Sequence, residues 1–253
     1  MYGYLHRGIE ESDYIFGDAQ IAADILQSDH NWLPYLPAGD IQIADGFEPY
    51  DCATMSFKHC LMTLLKRQYG FDDDYSARWI AKMTGTDAKH GNDFQTVAEF
   101  VRHSGAVEEY EWPYQATSFD DFYRTPPTPL TDSAKTFTDH YVLRHDWVPN
   151  DPQSMMKALQ YSPLQISVQA WELLPSGLYA AGDGMHDNHA VGLYDYVEGQ
   201  YWCIFDSYED VHKRVEWRHR PMAIKRYNIS ITPQTTSFFQ NAINIIKAWL
   251  NIQ

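Results

Sequence analysis

A cysteine at the start of a helix is the residue of this sequence whose placement most directly suggests chemistry. The stretch GFEPYDCATMSFKHCLMTLLKRQYG, residues 46–70, puts Cys52 directly after Asp51 and ahead of a long apolar run. The first turn of a helix carries unpaired N–H groups and the positive end of the helix dipole, which favour a thiolate. Taken alone, Cys52 is equally a small buried core residue. Cys60 and Cys203 fall inside predicted elements and are interpreted as packing residues.

A nucleophilic cysteine needs a base, and the base needs a group that orients it. Among the 11 histidines, His189 opens the run HAVGLYDYV, which a turn at Glu198-Gly199 would connect to YWCIFDSY. With those two residues at the turn centre, His189 pairs with Tyr208, and Asp206 lies diagonally across on the same face. A slip of one residue in this register would separate the histidine from the acid.

The roles of these residues follow from their chemistry. Cys52 would attack a carbonyl, His189 would move the proton and Asp206 would hold the imidazole in one tautomer, with Tyr208 covering the pair from water. The motif HDNH, with His186 and His189, could suggest a metal site, but no further ligands at helical or strand spacing support one. We therefore predict no metal and no cofactor.

The order cysteine, histidine, acid, with the motifs around these residues, resembles the papain-like cysteine peptidases. The motifs are DCATMSF, GND ahead of a helix, GAVEEYEWPY and NHAVGLYDYVEGQYWCIFDSY, and the resemblance covers about residues 31–229. That family places its histidine and orienting residue roughly 130–150 residues beyond the cysteine, close to the separations found here. The sequence looks most like the divergent branch found in bacteria and bacteriophages.

The resemblance implies roles for further positions. Gln42 matches the glutamine that precedes the nucleophile and donates to the oxyanion hole, although a surface glutamine is the plainer interpretation. Gly91 and Asn92 match the glycine-rich stretch that pairs with the substrate backbone, although an ordinary turn ahead of a helix would look the same. Asp206-Ser207-Tyr208 matches the family's Asn-Ser-Trp, which places Tyr208 among the substrate-binding residues.

The sequence also departs from the family pattern. Gln42 lies further ahead of Cys52 than the family's glutamine does, so a looping insertion must bring it to the site. Asp206 replaces an asparagine, Ala53 replaces an aromatic residue, and the familiar disulfides are absent. The residues before Gln42 are too few for the family's usual inhibitory pro-segment, so any latency is expected to come from elsewhere.

Periodic apolar positions indicate the elements that must position these residues. Helices are predicted from Asp51 to Gly70 and within 72–85, 92–105 and 152–160. Short alternating or apolar runs, typical of antiparallel strands, occupy 163–171, 189–199, 200–208, 212–218 and 222–230. A helical first half followed by a β second half predicts an α+β protein, and the resemblance implies a two-lobed papain-like fold with the site in the cleft between the lobes.

The predicted domain organisation is a single catalytic domain over residues 1–230. Its helical lobe covers about 45–125 and its β lobe about 140–230, with the Pro- and Thr-rich stretch 124–133 as the crossover. The first 50 residues are predicted to be extended and irregular apart from a short helix at 18–27. Residues 231–253 are predicted to form an amphipathic helix that packs on its own domain or docks on a protein partner or a second copy.

Composition excludes several classes of partner. A formal net charge of −15 argues against nucleic acid or an anionic membrane, since both require a basic face. No secretory signal opens the chain, and no run approaches the roughly 18 apolar residues of a membrane span. Three cysteines without metal spacing favour a reducing compartment. We predict a location in a bacterial cytoplasm or in association with a phage virion.

The predicted function is that of a cysteine-type peptidase that hydrolyses a polypeptide substrate through a thioester at Cys52. Three alternatives stay open. The same fold could transfer acyl groups to amines as a transamidase or act as an isopeptidase, and product carrying an added amine would reveal this. It could be an inactive binding or virion-structural protein, unaffected by Cys52→Ala in any turnover assay. It could be an unrelated α+β binding protein, in which Cys52 is no more reactive than Cys60 or Cys203.

Overall fold

A central helix, α1 (Cys52–Tyr69), organises the fold in this computed structural model, which describes residues 3–17, 29–38, 41–43, 46–183, 185–208 and 211–232. Gly70 ends the helix in the left-handed region, with a φ of 71°, and donates its N–H to the carbonyl of Lys66, as expected for a glycine C-cap. Both predicted ends of α1 are confirmed. Most of the helix is buried, including Phe57 and Leu61.

In the described ranges, five further α-helices and one 3-10 turn accompany α1. The 3-10 turn is Leu33–Tyr35, and the helices are α2 (Ala77–Met83), α3 (Phe94–Ser104), α4 (Phe119–Phe122), α5 (Pro129–His140) and α6 (Pro152–Leu159). Side-chain caps set where α2 and α3 begin, because Ser76 accepts from the N–H of Trp79 and Asp93 accepts from the N–H of Gln95. Both helices are therefore shorter than predicted.

The predicted crossover at 124–133 is wrong in part, because α5 begins inside it at Pro129. Proline is well suited to the first turn of a helix, where its missing N–H costs nothing and its φ is already helical. The helical part of the chain consequently continues to His140. The short helix predicted at 18–27 and the C-terminal helix beyond residue 232 lie outside the described residues.

Among the residues that the structure describes, a six-stranded antiparallel sheet forms the second half of the fold. The strands are β1 (Tyr141–Trp147), β2 (Leu164–Val168), β3 (His189–Val197), β4 (Tyr201–Phe205), β5 (His212–Glu216) and β6 (Ile224–Ile231), in the spatial order β1-β6-β2-β3-β4-β5. The five predicted strands are confirmed. Strand β1 was not predicted, because YVLRHDW interleaves charged and apolar residues; its pairing with β6 along its whole length fixes it as a strand.

The hairpin between β3 and β4 differs in detail from the prediction. Its turn is centred on Glu198 and Gly199, with the N–H of Gln200 donating to the carbonyl of Val197 at 2.9 Å. Val197 nevertheless pairs with Tyr201, so that Gln200 is an extra residue and the two-residue turn is wrong.

A β-bulge restores the register nearer the start of β3. The ladder shifts by one residue between Leu193 and Asp195, so that Gly192 pairs with Phe205. When the register is extended from that pair toward the start of β3, His189 aligns with Tyr208, as the sequence predicts. The extra residue in the turn and the bulge in β3 therefore cancel, and the predicted register is restored before His189.

Helix α1 packs directly on β3 and β2. The buried side chain of Gln165 on β2 anchors the start of this helix, since its Nε2 donates to the carbonyl of Ala53 and to Ser56 Oγ, both at 2.7 Å. A helical portion followed by an antiparallel sheet confirms the predicted α+β class. The packing of α1 on β2 and β3 brings the first turn of α1 close to the start of β3.

Candidate active site

His189 and Asp206 form a buried ion-pairing contact in the described fold. His189 is the first residue of β3 and Asp206 follows the last residue of β4, and the distance from His189 Nε2 to Asp206 Oδ1 is 2.7 Å. Neither residue is exposed to solvent. Because Nε2 is bonded to the carboxylate, Nδ1 is the nitrogen left for proton transfer. The structure thus brings together the two residues that the sequence pairs.

Lys213 on β5 forms a second ion pair with Asp206 and was not predicted. Its Nζ lies 2.8 Å from Asp206 Oδ2, and the lysine side chain is 3% exposed. Burial acts to raise the pKa of Asp206, but the hydrogen bonds and charges of His189 and Lys213 outweigh it and lower that pKa below its usual value. Each carboxylate oxygen thus has its own cationic or imidazole partner.

Two aromatic rings flank the imidazole. The ring centroid of Tyr208 lies 4.8 Å from that of His189, and the ring of Trp171 meets it edge-on at 5.8 Å. Burial and the nearby carboxylate of Glu48 raise the pKa of the Tyr208 hydroxyl. Tyr208 therefore lies over the imidazole in the position predicted for a covering residue. Trp171 was not predicted.

Cys52 occupies the first position of α1 and is completely buried. The main-chain N–H groups of Ala190 and Gly3 point at its sulfur, so the thiol lies beside the residue that follows His189. Burial raises the pKa of this thiol well above its usual value, and the charges of Asp51 and Glu48 add to the rise. The expected thiolate is therefore not favoured in this structure, because desolvation outweighs the helix dipole.

Asp51 does not act as the side-chain cap that its position suggests. It makes no capping hydrogen bond, and its Oδ1 accepts instead from the hydroxyl of Tyr114 at 3.0 Å. Its Oδ2 is buried and has no hydrogen-bond partner among the described residues. Burial raises the pKa of Asp51 to about 7. A carboxyl group that holds its proton near neutral pH thus precedes the nucleophile.

Gln42 reaches this site despite its separation along the chain. Its main-chain N–H donates to the carbonyl of Ser207 at 2.6 Å, and its Oε1 accepts from Ser207 Oγ at 2.8 Å. The side-chain Nε2, which an oxyanion would require, donates to Glu48 Oε1 at 3.1 Å. The predicted donor is therefore next to the catalytic candidates, with its amide engaged by a carboxylate.

Of the predicted substrate-binding residues Gly91 and Asn92, Asn92 forms hydrogen bonds with a main chain, and that chain is the protein's own. Asn92 N–H donates to the carbonyl of Gly3 at 2.8 Å, and the N–H of Leu5 donates to the carbonyl of Asn92 at 2.9 Å, which forms a parallel bridge between Tyr4 and Asn92. Residues 3–6, here termed the N-terminal arm, thus lie along the predicted substrate-binding stretch and against Cys52. The residues before Gln42, which the sequence shows to be too few for the family's usual inhibitory pro-segment, thus include a short segment that lies over the predicted site.

Close contact with the arm explains why position 91 is a glycine. A Cβ at Gly91 would lie 1.5 Å from the carbonyl oxygen of Gly3, a distance that no side chain can occupy. The glycine therefore allows the two backbones to approach rather than making a turn.

Gly91→Ala is expected to displace the arm and to speed alkylation of Cys52 by iodoacetamide about 10-fold, since overpacking of this kind typically costs 1–3 kcal/mol. Peptide mapping of the alkylated chain measures the rate. Gly8→Ala is the matched control, because a Cβ there meets nothing within 4 Å. Equal rates in the two variants would show that Gly3 and Gly91 are not in contact in solution.

The two histidines of HDNH separate in the structure. His186 Nδ1 pairs with Asp183 Oδ2 at 2.5 Å on the surface, whereas His189 is buried with Asp206. In the part of the chain that the structure describes, no group of three or more His, Cys, Asp or Glu side chains could hold a metal ion. Among the helices of the same ranges, none has the length and apolarity needed to cross a membrane.

Comparison with known proteins identifies the fold. No family model and no curated protein matches this chain. Xylellain, a cysteine protease from Xylella fastidiosa, superposes with a TM-score of 0.63 at 14% identity, over 91% of this chain and 95% of its own. The digestive procathepsin L 3 of Tenebrio molitor larval midgut gives 0.60 at 17%, over 85% and 72%. The bromelain protease of Ananas comosus gives 0.56 at 17%, over 78% and 97%. The chain therefore has the fold of the papain-like cysteine proteases.

Proposed function

We propose that this protein is a cysteine peptidase in which Cys52 is the nucleophile, His189 the general base and acid, and Asp206 the residue that orients the imidazole. The observation that carries the proposal is the buried pair of His189 and Asp206, together with the hydrogen bond that the main chain of the next residue, Ala190, makes to the sulfur at the start of α1. The fold of the neighbouring structures, whose titles name cysteine proteases, supports the same class.

The reaction would proceed in two acyl-transfer steps. His189 takes the thiol proton as Cys52 sulfur bonds to the substrate carbonyl carbon, and then returns that proton to the departing amine, which leaves a thioester. Water, deprotonated by His189, attacks the thioester and releases the acid and the free thiol. The main-chain N–H of Cys52, which has no acceptor within its own helix, and the amide of Gln42 would hold the oxyanion.

The form described here would be a latent one. The N-terminal arm occupies the stretch that would pair with a substrate backbone, and Glu48 engages the amide of Gln42. The thiol is buried in this state, and burial raises its pKa, which favours the protonated form. Catalysis would therefore require that the arm leave the groove and that the amide of Gln42 exchange Glu48 for the oxyanion.

Hydrolysis and thiol mapping together test the proposed function. The protein is incubated with a polypeptide substrate in the presence and absence of an added amine, and alkylation by iodoacetamide is mapped in parallel. We expect free-acid products, and loss of activity that follows alkylation of Cys52 and not of Cys60 or Cys203. Product carrying the amine would favour transamidation. No turnover, with Cys52 no more reactive than the other two thiols after the arm is opened, would overturn the proposal.

Lys213 is proposed as a positioning residue that acts through Asp206. In Lys213→Met the packing of the side chain is largely kept, but Asp206 Oδ2 loses the ammonium group of Lys213, and the carboxylate therefore holds the imidazolium more strongly. We expect kcat to fall about 10-fold with KM little changed, and the alkaline limb of the kcat/KM profile to move to higher pH.

Lys213→Arg is the conservative control for this prediction, because it retains a buried positive charge. It should restore the wild-type pH profile even if its kcat stays below that of the wild type. Thermal unfolding of both variants separates a loss of folded protein from a change in the site. An unchanged pH profile in Lys213→Met would indicate that the lysine is only a packing residue.

The narrower inferences from the sequence also stay proposals. They are the bacterial and bacteriophage branch, a polypeptide substrate with no nucleic-acid or membrane partner, and a cytoplasmic or virion-associated location. Docking of a partner or second copy through the helix predicted at 231–253 stays a prediction, because Ile231 ends β6 and residues 233–253 lie outside the described residues. The boundaries of the lobes at about 45–125 and 140–230 are predictions as well.

A further inference from the structure

Asp51, the residue before the candidate nucleophile, has a buried carboxyl group to which the proposed reaction gives no role. The residue is 0% exposed. Its Oδ1 accepts a hydrogen bond from the hydroxyl of Tyr114 at 3.0 Å, and its Oδ2 has no partner among the described residues. A carboxylate held in this way, with one neutral side-chain donor and no access to water, is costly. The environment of Asp51 therefore favours the protonated carboxyl group.

The charged groups around Asp51 give its carboxylate form little support. Burial raises the pKa of Asp51, and the like charge of Glu48 adds to the rise. The ammonium group of Lys58 acts in the opposite direction, but its Nζ is paired with Asp74 Oδ1 at 2.7 Å. Three phenols also interact with the carboxyl group, and burial raises the pKa of each, so that none is charged near neutral pH: Tyr114, Tyr123 and Tyr208.

The carboxyl group of Asp51 and the thiol of Cys52 belong to consecutive residues, and both residues are completely buried. Consecutive Cα atoms lie about 3.8 Å apart, and like charges on neighbouring side chains repel strongly where water is excluded. A carboxylate at Asp51 would also oppose the positive end of the α1 dipole, which favours negative charge on the sulfur. The start of α1 therefore has a different effect on Cys52 in each protonation state of Asp51.

We propose that Asp51 is a positioning residue that controls negative charge at Cys52: its protonated carboxyl group permits a thiolate, and its carboxylate suppresses one. This inference rests on the proposed function, because it assigns a control to the same nucleophile. As the pH rises through about 7, the pKa of Asp51, the carboxylate forms and the thiolate becomes harder to make. Cys52 should therefore gain less reactivity with rising pH than a thiol without this neighbour.

Iodoacetamide labelling of Cys52 in the full chain tests this inference without requiring turnover. Asp51→Asn keeps the shape of the side chain and removes its charge. It should label at the wild-type rate at about pH 5.5 and about 10-fold faster at about pH 8.5, with the midpoint of the change near pH 7. Asp132→Asn is the matched control, because it removes an exposed carboxylate paired with Lys135, and it should label at the wild-type rate throughout. A ratio of rates for Asp51→Asn that is the same at every pH would overturn the inference.

Tyr114→Phe should move the midpoint of this change without abolishing it. The tyrosine hydroxyl favours the carboxylate form of Asp51, so its removal should raise the pKa of Asp51 further. At about pH 8 this variant should label about threefold faster than wild type. In the Asp51→Asn background, Tyr114→Phe should change the rate less than about twofold. An equal effect of Tyr114→Phe in both backgrounds would overturn a route through Asp51.

Thermal unfolding measures the titration of Asp51 independently of the thiol. The pKa of Asp51 in the folded chain, about 7, lies above its ordinary value of 3.8. Wild type should therefore lose stability relative to Asp51→Asn as the pH rises from about 4 to about 7, with a constant difference above that range. A difference in Tm that does not depend on pH would show that Asp51 does not titrate in this way, and would overturn the inference.

Peptide cleavage by the full chain separates this inference from the proposed function. The ratio of kcat/KM between Asp51→Asn and wild type should rise with pH in the same way as the ratio of labelling rates. Cleavage with the same pH profile in the two chains would overturn the inference and leave the peptidase intact. Labelling and unfolding as expected, with no peptide cleaved, would support the control of Cys52 by Asp51 and count against the peptidase.

Discussion

Removing residues 1–6 is expected to raise both peptide turnover and the alkylation rate of Cys52 by at least about 100-fold. The arm buries Tyr4 and makes two main-chain hydrogen bonds with Asn92, which together stabilise the closed state by about 3–4 kcal/mol. Each 1.4 kcal/mol corresponds to about a tenfold change in the population of the open state. Without the arm, Cys52 gains access to water and the main penalty on its thiolate is relieved.

The deletion leaves Arg7 and its 2.7 Å ion pair with Asp13 in place, so the following segment keeps its anchor. A synthetic peptide with the sequence of residues 1–6, added to the shortened protein, should inhibit turnover. The same deletion in Cys52→Ala should show no turnover, which excludes a contaminating protease. If the shortened protein alkylates at the rate of the full chain, burial by the arm is not what protects the thiol.

Cys52→Ala and His189→Ala, made in the shortened protein, should each lower kcat by about 10³-fold or more, as removal of a nucleophile or its base does in comparable hydrolases. The double variant should be no less active than the worse of the two single variants, because the residues act as one unit. Cys60→Ala and Cys203→Ala should retain kcat, since neither thiol belongs to the proposed site. Turnover is measured with the same peptide for every variant.

This set of variants distinguishes the proposed reaction from the inactive alternative. Activity that survives Cys52→Ala would mean that another group carries the chemistry. Additive losses in the double variant would mean that Cys52 and His189 contribute separately rather than through a shared proton. An inactive binding protein would show no dependence on either residue in any of the shortened chains.

Local patterns in the sequence predict much of the fold for identifiable reasons. Helix α1 was predicted with both ends because its apolar period is strong and Gly70 supplies a left-handed C-cap. Strands β3 and β4 were predicted from short apolar runs on either side of a turn. The α5 helix and β1 were missed, since Pro129 resembles a loop residue and β1 is defined by its pairing with β6 rather than by its own alternation.

Of the contacts in the candidate site, the sequence predicted only those within the β3–β4 hairpin. His189 and Asp206 meet because an extra residue at Gln200 and a bulge next to Tyr194 cancel, and neither is visible in the sequence. A lone lysine in HKRVE gave no sign that it would bind Asp206, since that contact depends on how β5 aligns with β4. The arm reaches the site through backbone hydrogen bonds, which carry no side-chain signature.

The direction of the arm determines what it presents to the sulfur. In its parallel pairing with Asn92, the carbonyl of Gly3 accepts a hydrogen bond from the Asn92 N–H. The N–H of Gly3 forms the main-chain hydrogen bond to Cys52. A thiolate reacts with an electrophilic carbon, and an amide hydrogen offers it none. The arm can therefore contact the nucleophile without being cleaved by it. Opening the groove requires that the arm dissociate or be cleaved at another position.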